Sequence, residues 1–427
     1  MTPMSAATSP VDLAGRLRMW PGAAEGQPAL HSSRPDLLPR LAPGRPAAQM
    51  PDLLAGVFSL CGHAHRWVAQ RALAAALPAG DGGAAGPQGP AAPAALAASR
   101  QAHRLATLRE QVLRLSHDWP RLLPQVPADC AGALAASLAT CPVWQPGVLA
   151  EASQTEATQA GKSQAGVARA DVALAAMPAW LQQHWLGQPL ASWLSAYEAD
   201  PAGWPLRWAA STKGSALAQL LHSQQLAAQA LAAPGPALCL LDQAALTLPL
   251  LARQMARPGF CAEPHWQGEH PDSGPWCRAA DPLRRQARSA WDRLLARLVD
   301  VLRLAAPAGG GWLADGAMAL GPGEGVAWLE MARGLLVHRV QLAPTDAGAP
   351  ARVQAWQVLA PTEWHSHPQG ALAQALRRLA PSDATGASRL AVAFDPCVRF
   401  EIASAAGAGD DAVRPMRPAM EGASAHA

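Results

Sequence analysis

The sequence predicts an α+β protein, mainly helical, in which a helical bundle carries a small sheet. Three observations lead there. Half of the 427 residues are apolar, enough for a large core. Several segments repeat leucine at helical spacing. The C-terminal third then changes to short Val/Leu/Trp-rich runs separated by turn residues.

Leu105, Leu108, Val112 and Leu115 form the first clear helical face, with Arg104, Arg109, Glu110 and Arg114 interleaved. Apolar residues three and four apart share one side of a 3.6-residue period. Residues 216–232 read as a second helix. The run 237–251 is broken by Asp242, Gln243 and Pro249, so it reads as a buried core element and falls short of a membrane span. Trp291, Leu294, Leu295, Leu298, Val301 and Leu302 mark a third amphipathic helix, and the arginine-rich stretch 284–303 around it reads as a solvated face. Gly334–Leu342 and Val353–Leu359 flank Pro-Thr-Asp-Ala-Gly-Ala-Pro-Ala, whose Asp346 and Gly348 suit the turn of a hairpin. Residues 389–394 read as a further short strand that delivers Asp395-Pro396-Cys397. Sixteen tryptophans against one tyrosine, several beside leucines, are expected in the core.

Small-residue stretches at about 79–93, 151–166 and 306–325 read as loops within one domain, the first of them flexible, and 404–427 as a disordered tail. Lys+Arg of 34 against Asp+Glu of 31 gives +3, so no nucleic-acid footprint is present. Only Lys162 and Lys213 are lysines, and with 40 Pro and 36 Gly this matches a GC-rich coding bias. No segment suits membrane insertion, and the first residues lack the pattern of an export signal. Seven cysteines, an odd number at irregular spacing, argue against a disulfide framework and for a reducing, cytoplasmic location.

Two cysteines stand in unusual company: Cys61 in Ser-Leu-Cys-Gly-His-Ala-His and Cys397 in Phe-Asp-Pro-Cys-Val-Arg-Phe. Neither has a second cysteine at metal-clip spacing, and on that ground alone both are small buried hydrophobes. Five segments in order change that reading. Leu13-Ala14-Gly15-Arg16-Leu17 is similar to I-E-G-H-L. Gly44-Arg45-Pro46 followed by Leu60-Cys61-Gly62 is similar to G-R-x-P leading into R-I-C-G-x-C. Gly268 with Asp272-Ser273-Gly274-Pro275-Trp276-Cys277-Arg278 is similar to E-x-G-P-L-A-R. Glu330-Met331-Ala332-Arg333-Gly334, with His338, leads to Gln357-Val358-Leu359-Ala360-Pro361-Thr362-Glu363-Trp364, similar to E-A-P-R-G-x-L-x-H and Y-Q-x-V-x-P-T-T-W. Asp395-Pro396-Cys397 opens like D-P-C-x-x-C-x-x-H. Together they resemble the large subunit of nickel-iron hydrogenases. With its depleted cysteine motifs, the chain resembles the branch of hydrogenase expression/formation proteins of the HupK and HoxV type.

The resemblance implies a single large-subunit-like domain over residues 1–403, with small β elements near the N- and C-terminal motifs. It also shows what is missing. Ala64 and Phe400 stand where the family carries its bridging thiolates, Ala14 where it carries a proton-relaying acid, Ala332 where the pocket has a proline, and Ala403 where a terminal His marks precursor trimming. A methyl and a phenyl ring cannot bridge metals, so no stable nickel-iron centre is expected. Cys61 and Cys397 are implied as the metal ligands, with Arg333, Thr362, His65 and Pro361 lining a cofactor pocket suited to cyanide and carbonyl ligands. The implied role is non-catalytic: a maturation scaffold that transiently holds an Fe(CN)2(CO) unit, takes it from accessory proteins and passes it to the large-subunit precursor. A protein-binding chaperone without metal, or a divergent hydrogenase large subunit, are the alternatives.

Two further readings come from residue type. Cys261, His265, His270 and Cys277 have zinc-ligand chemistry without a standard spacing, in a loop-like stretch that needs no metal in the relatives. His63 and His65 flank Cys61, with His65 the better candidate for a supporting group. His338 is expected to support the pocket wall, and His365 and His367 to sit on a solvated loop.

Overall fold

The computed structural model describes residues 15–77, 93–146, 148, 160–283, 287–344 and 349–403. The helices that organise the site are α1 (Met50–Val57), α2 (Gly62–Ala76), α3 (Pro93–Leu113), α4 (Ala160–Leu181), α5 (Ala216–Ala230), α6 (Ala244–Met255), α7 (Ala290–Ala305), α8 (Pro361–His365) and α9 (Ala384–Phe394). The strands are β1 (Arg16–Met19), β2 (Leu30–Ser32), β3 (Asp315–Gly321), β4 (Glu324–Met331), β5 (Gly334–Leu342), β6 (Val353–Leu359) and β7 (Arg399–Ile402). The fold is α+β and mainly helical. Among the described residues no helix is long and apolar enough to cross a membrane.

Leu105, Leu108 and Val112 of α3 pack with Leu294, Leu298 and Leu302 of α7 and Leu390 and Phe394 of α9 in the main core, where every one of them is fully buried. A capping box starts α7: Ser289 Oγ accepts from Asp292 N at 3.3 Å, and Asp292 Oδ2 accepts from Ser289 N at 2.9 Å. That cap places the helix start after Ser289. Trp119, Trp185, Trp193 and Trp364 are likewise in the core.

The larger sheet runs β3-β4-β5-β6, antiparallel throughout. Alternate residues of β5 feed two cores. Leu336, Val340 and Leu342 join Val68, Ala69, Ala72 and Leu73 of α2, while Leu335 and Val337 join Leu248, Leu251 and Met255 of α6. Covered on both faces, β5 puts apolar residues on each side, Leu335 and Val337 on one and Leu336, Val340 and Leu342 on the other, as a strand buried on two sides must. Gly325 lets β4 approach α2: a Cβ there would strike the backbone of Ala72 and lie 2.8 Å from Ala76 N. The smaller sheet, β2-β1-β7, pairs β1 in parallel with β7, Leu17 opposite Phe400, and so ties the two ends of the described chain together.

Five sequence expectations are corrected. Residues 389–394 belong to helix α9, because Asp383 Oδ1 caps Gly386 N at 2.7 Å and extends the segment to 11 helical residues; a short apolar run does not by itself separate strand from buried helix. The stretch 306–325 contains β3 and the start of β4, whose pairing compensates for small residues of low strand propensity. The arginines of α7 are not solvated: Arg293 and Arg297 are 0% exposed. Arg293 donates to Asp272 Oδ2 at 2.5 Å, and Arg297 pairs with Asp395 at 3.1 Å. His365 and His367 are buried rather than on a solvated loop. The 151–166 stretch becomes helical from Ala160. Leu13 and Ala14, most of the 79–93 loop, residues 151–159 and 284–286, the turn residues Asp346 and Gly348 and the 404–427 tail lie outside the described residues.

The core also holds charge. Arg278 donates to Asp300 through Nε at 2.9 Å and Nη2 at 2.8 Å, both side chains being fully buried. Trp312 Nε1 and Gln111 Nε2 donate to the same carboxylate at 2.7 and 2.9 Å. His65, His103, His338 and His365 are each no more than 3% exposed. Burial lowers His103 and His338 to about 3 and His365 to about 4, and His65 well below its ordinary value.

Three outcomes follow. Asp300→Ala strands the Arg278 guanidinium and should cost about 3–5 kcal/mol in urea unfolding, whereas a loss within error would mean that the network does not hold α7. Gly325→Ala should cost about 1–3 kcal/mol by forcing β4 off α2. Because folding depresses the histidine pKa values, the unfolded chain binds protons more readily below pH ~6.5, and stability should decline from there by roughly 1.4 kcal/mol per pH unit per histidine. An unfolding midpoint unchanged between pH 7 and 5 would contradict that.

Candidate metal-fragment site

Cys61 is the residue from which α2 springs: it ends a 3₁₀ turn (Ser59–Cys61) and occupies the N-cap of the helix. The glycine after it is sterically required, since a Cβ on Gly62 would meet the Ala55 backbone of α1, with Ala55 C at 3.3 Å. Cys397 follows α9 by a sharp reversal. Asp395, the C-cap of α9, takes a left-handed conformation with φ 51°, which aspartate tolerates better than most residues. The chain then enters β7, whose pairing with β1 anchors the turn.

The two sulfurs share one electrostatic neighbourhood. Burial raises the Cys61 thiol, and Cys397 and Glu110 raise it further, while Arg333 and Arg34 oppose them. Arg34 Nη1 donates to Cys397 Sγ at 3.6 Å and to Glu363 Oε1 at 3.1 Å, and its guanidinium lies 4.8 Å from the Phe58 ring centroid. Thr362 Oγ1 lies 2.8 Å from Cys397 Sγ. Thr362 follows Pro361 in the first turn of α8, where proline fits because its missing N–H has no helical partner. Glu363 Oε2 accepts from Ala360 N at 3.1 Å and secures the same turn.

Arg333 sits in the two-residue tip of the β4–β5 hairpin, between paired Met331 and Gly334. Gly334 has φ 136°, in the region glycine favours, and its missing side chain makes room for Ser273. The Arg333 guanidinium is 2% exposed and ion-pairs with Glu110; its Nε donates to the Asp395 carbonyl oxygen at 3.1 Å. Burial would lower its pKa, but Glu110, Asp395 and the two thiols prevail and keep it protonated. The Asp395 carboxyl, which burial would raise, is held well below the carboxylate range by Arg114, Arg333 and Arg297.

Of the sequence candidates, the structure therefore brings Cys61, Cys397, Arg333, Thr362 and Pro361 to one neighbourhood. His65 stands one layer back: its ring stacks on Phe58 at 3.9 Å, and its Nδ1 lies 3.0 Å from His338 Nε2. His338 thus supports the wall through His65. Ala64 is buried against the α2–sheet core, and Phe400 packs on the main core. His365 bonds the Ser273 carbonyl, and His367 stacks on His270 at 4.0 Å. Among the described residues no three His, Cys, Asp or Glu side chains gather as metal ligands. Cys261 instead lies 3.8 Å from Met255 O, and His265 packs edge-on to Phe260.

Sequence reasoning missed Arg34, Glu363 and the partner roles of Glu110 and Asp395. Arg34-Pro35 and Glu110 carry no motif, and only the fold sets them beside the thiols. Asp395, two residues ahead of Cys397 in Asp-Pro-Cys, and Glu363, inside the Pro361–Trp364 segment, were the ones with a visible signal.

No family model matches the chain. Among solved structures it is similar to a reduced, active form of the Ni-Fe-Se hydrogenase from Desulfomicrobium baculatum, with a TM-score of 0.48 and 12% identity over 88% of this chain and 95% of that one. It is 34% identical over 421 residues to the hydrogenase expression/formation protein HoxV of Cupriavidus necator, covering 94% of this chain and 99% of the relative. It is 31% identical over 394 residues to the hydrogenase expression/formation protein HupK of Rhizobium leguminosarum bv. viciae, covering 88% and 91%. Similarity above 30% identity over at least 88% of this chain and 91% of each relative places this chain in the family of hydrogenase expression/formation proteins of the HoxV and HupK type.

Proposed function

We propose that the chain is a non-catalytic cytoplasmic scaffold for nickel-iron hydrogenase maturation, holding an Fe(CN)2(CO) unit on Cys61 and Cys397 before its transfer to the apo large subunit. The observation that carries this reading is the pair of thiols flanked by the Arg34 and Arg333 guanidiniums. Two thiolates, two cyanides and one Fe(II) sum to a charge of −2. Such a fragment is stabilised beside two fixed cations and destabilised in an apolar cavity. Soft sulfur donors suit this iron, and two protein ligands suffice because the cargo brings three strong ligands of its own. A site with only two protein bonds releases its cargo more readily than the four-thiolate pocket implied for the large subunit, which favours handing over.

The partners of this reading are accessory proteins that deliver the iron unit and the large-subunit precursor that receives it. The relatives' role as hydrogenase expression/formation proteins supports them. In this reading Thr362, 2.8 Å from Cys397 Sγ, donates to the coordinating sulfur, and Arg333 and Arg34 supply the two cations.

Protein isolated from its host without air, together with its accessory proteins, should show cyanide and carbonyl infrared bands that disappear in Cys61→Ala and in Cys397→Ala. Absent bands, combined with full hydrogenase maturation in both variants, would defeat the iron-holding role and leave a protein-binding chaperone. Thr362→Val should cost only about 0.5–1.5 kcal/mol of stability while moving the carbonyl band to lower frequency, because a sulfur relieved of its hydrogen bond donates more density to iron. An unshifted band would remove Thr362 from the site.

A further inference from the structure

A second pair of thiols, remote in sequence from Cys61 and Cys397, lies on the outer side of the Arg333 hairpin. Cys239 is exposed, while Cys277 is buried at 6% exposure. Backbone pairing draws their segments together: Ala237 bridges Asp272 in parallel, Leu238 N donates to Asp272 O at 2.9 Å, and Asp272 N donates to Pro236 O at 3.0 Å. Both cysteines line one small cleft, with Ser273, Gly274, Glu330 and Gly334. Its volume of about 10 Å³ is roughly the space of a single water. Cys277 Sγ lies 3.5 Å from Asp272 O. The Cys277 thiol is raised first by burial, then by Asp272 and Cys239. An exposed thiol and a buried one that line the same cleft have the placement of an attacking cysteine and its resolving partner.

We propose that Cys239 and Cys277 form a reversible disulfide under peroxide, and that this bond loosens the support of the Arg333 hairpin. In the first step the Cys239 sulfur attacks one peroxide oxygen; the O–O bond breaks, Cys239 becomes a sulfenic acid and water leaves. In the second step the Cys277 sulfur attacks the Cys239 sulfur, the S–O bond breaks, and the Cys277 proton leaves with hydroxide as a second water. Two thiols and one hydrogen peroxide thus give one disulfide and two waters. A dithiol reductant reverses the change.

The link to the hairpin is structural. The segment between Asp272 and Cys277 carries Ser273, whose Oγ accepts from Leu335 N at 2.8 Å and packs into the space left by Gly334. Its other anchors are the Arg293–Asp272 pair at 2.5 Å and the His365–Ser273 contact. Drawing Cys277 outward onto Cys239 pulls this segment away from the turn that holds Arg333. The inference is independent of whether Cys61 and Cys397 carry iron.

The test uses the full chain, purified without air and treated with equimolar hydrogen peroxide, then alkylated, digested and analysed by mass spectrometry. The expected product is a peptide pair joined through Cys239 and Cys277 and lighter by two hydrogens, reversed by dithiothreitol and absent in Cys239→Ser. Hydrogen exchange of the Leu335 amide should quicken about tenfold on oxidation of the wild type, as expected for loss of one hydrogen bond, and not in Cys239→Ser. Over-oxidation of Cys239 to sulfinic acid without the cross-link would overturn the proposal. So would a cross-link that leaves Leu335 exchange unchanged, since the hairpin would then be insensitive to the bond.

Discussion

The guanidinium of Arg333 is the tie on which the candidate site depends. It sits at the tip of the β4–β5 hairpin, bonds the carbonyl of Asp395 where α9 ends, and pairs with Glu110 on α3. Three elements distant in sequence meet at one fully buried cation. A charge in such a place is expensive to desolvate, and its cost is offset only because carboxylates surround it. Asp395 is treated the same way from the other side, with Arg114, Arg297 and Arg333 all within ion-pair distance. The network therefore fixes the residue two positions ahead of Cys397 more tightly than apolar packing alone would.

Cys61 is positioned by different physics. Its place at the start of α2 follows from the packing of that helix on the sheet, where small residues on both sides let the backbones approach closely. Cys397 arrives through a helix end, a left-handed aspartate and a strand paired with β1. One sulfur is thus set by helix-on-sheet packing and the other by an ion-pair network with strand pairing. The cations beside them come from yet other segments. A site assembled from so many elements holds its geometry only while the whole fold is intact, and it leaves few protein ligands for a metal. The proposed holding of a preassembled fragment rests on that combination.

The histidines show how a buried polar layer can support such a site without joining it. His65 and His338 face each other at 3.0 Å, and burial keeps both neutral, so one ring nitrogen donates and the other accepts. Their pairing locks Phe58, over which Arg34 lies. An aromatic ring and a cation thus stand in sequence between His65 and the Cys397 thiol. Glu363 links the same cation to the first turn of α8, where Thr362 meets Cys397.

Sequence alone determined the α+β class, the helices α3, α5 and α7, the β5–β6 hairpin and the two cysteine motifs, because each is written in local periodicity or in a contiguous run of residues. It misread α9 as a strand, since five apolar residues after Arg389, taken without their cap, suit either state, and it took the buried arginines of α7 for a solvated face. Composition shows that a charge exists, not whether an opposite charge from another segment will bury it. Tertiary structure alone decided that Arg34 and Glu110 belong beside Cys61 and Cys397, and that Asp272, Asp300 and Asp395 neutralise the core arginines. Those are pairings between segments far apart in the chain, and nothing in the spacing of residues along one segment specifies which distant segment will fold against it.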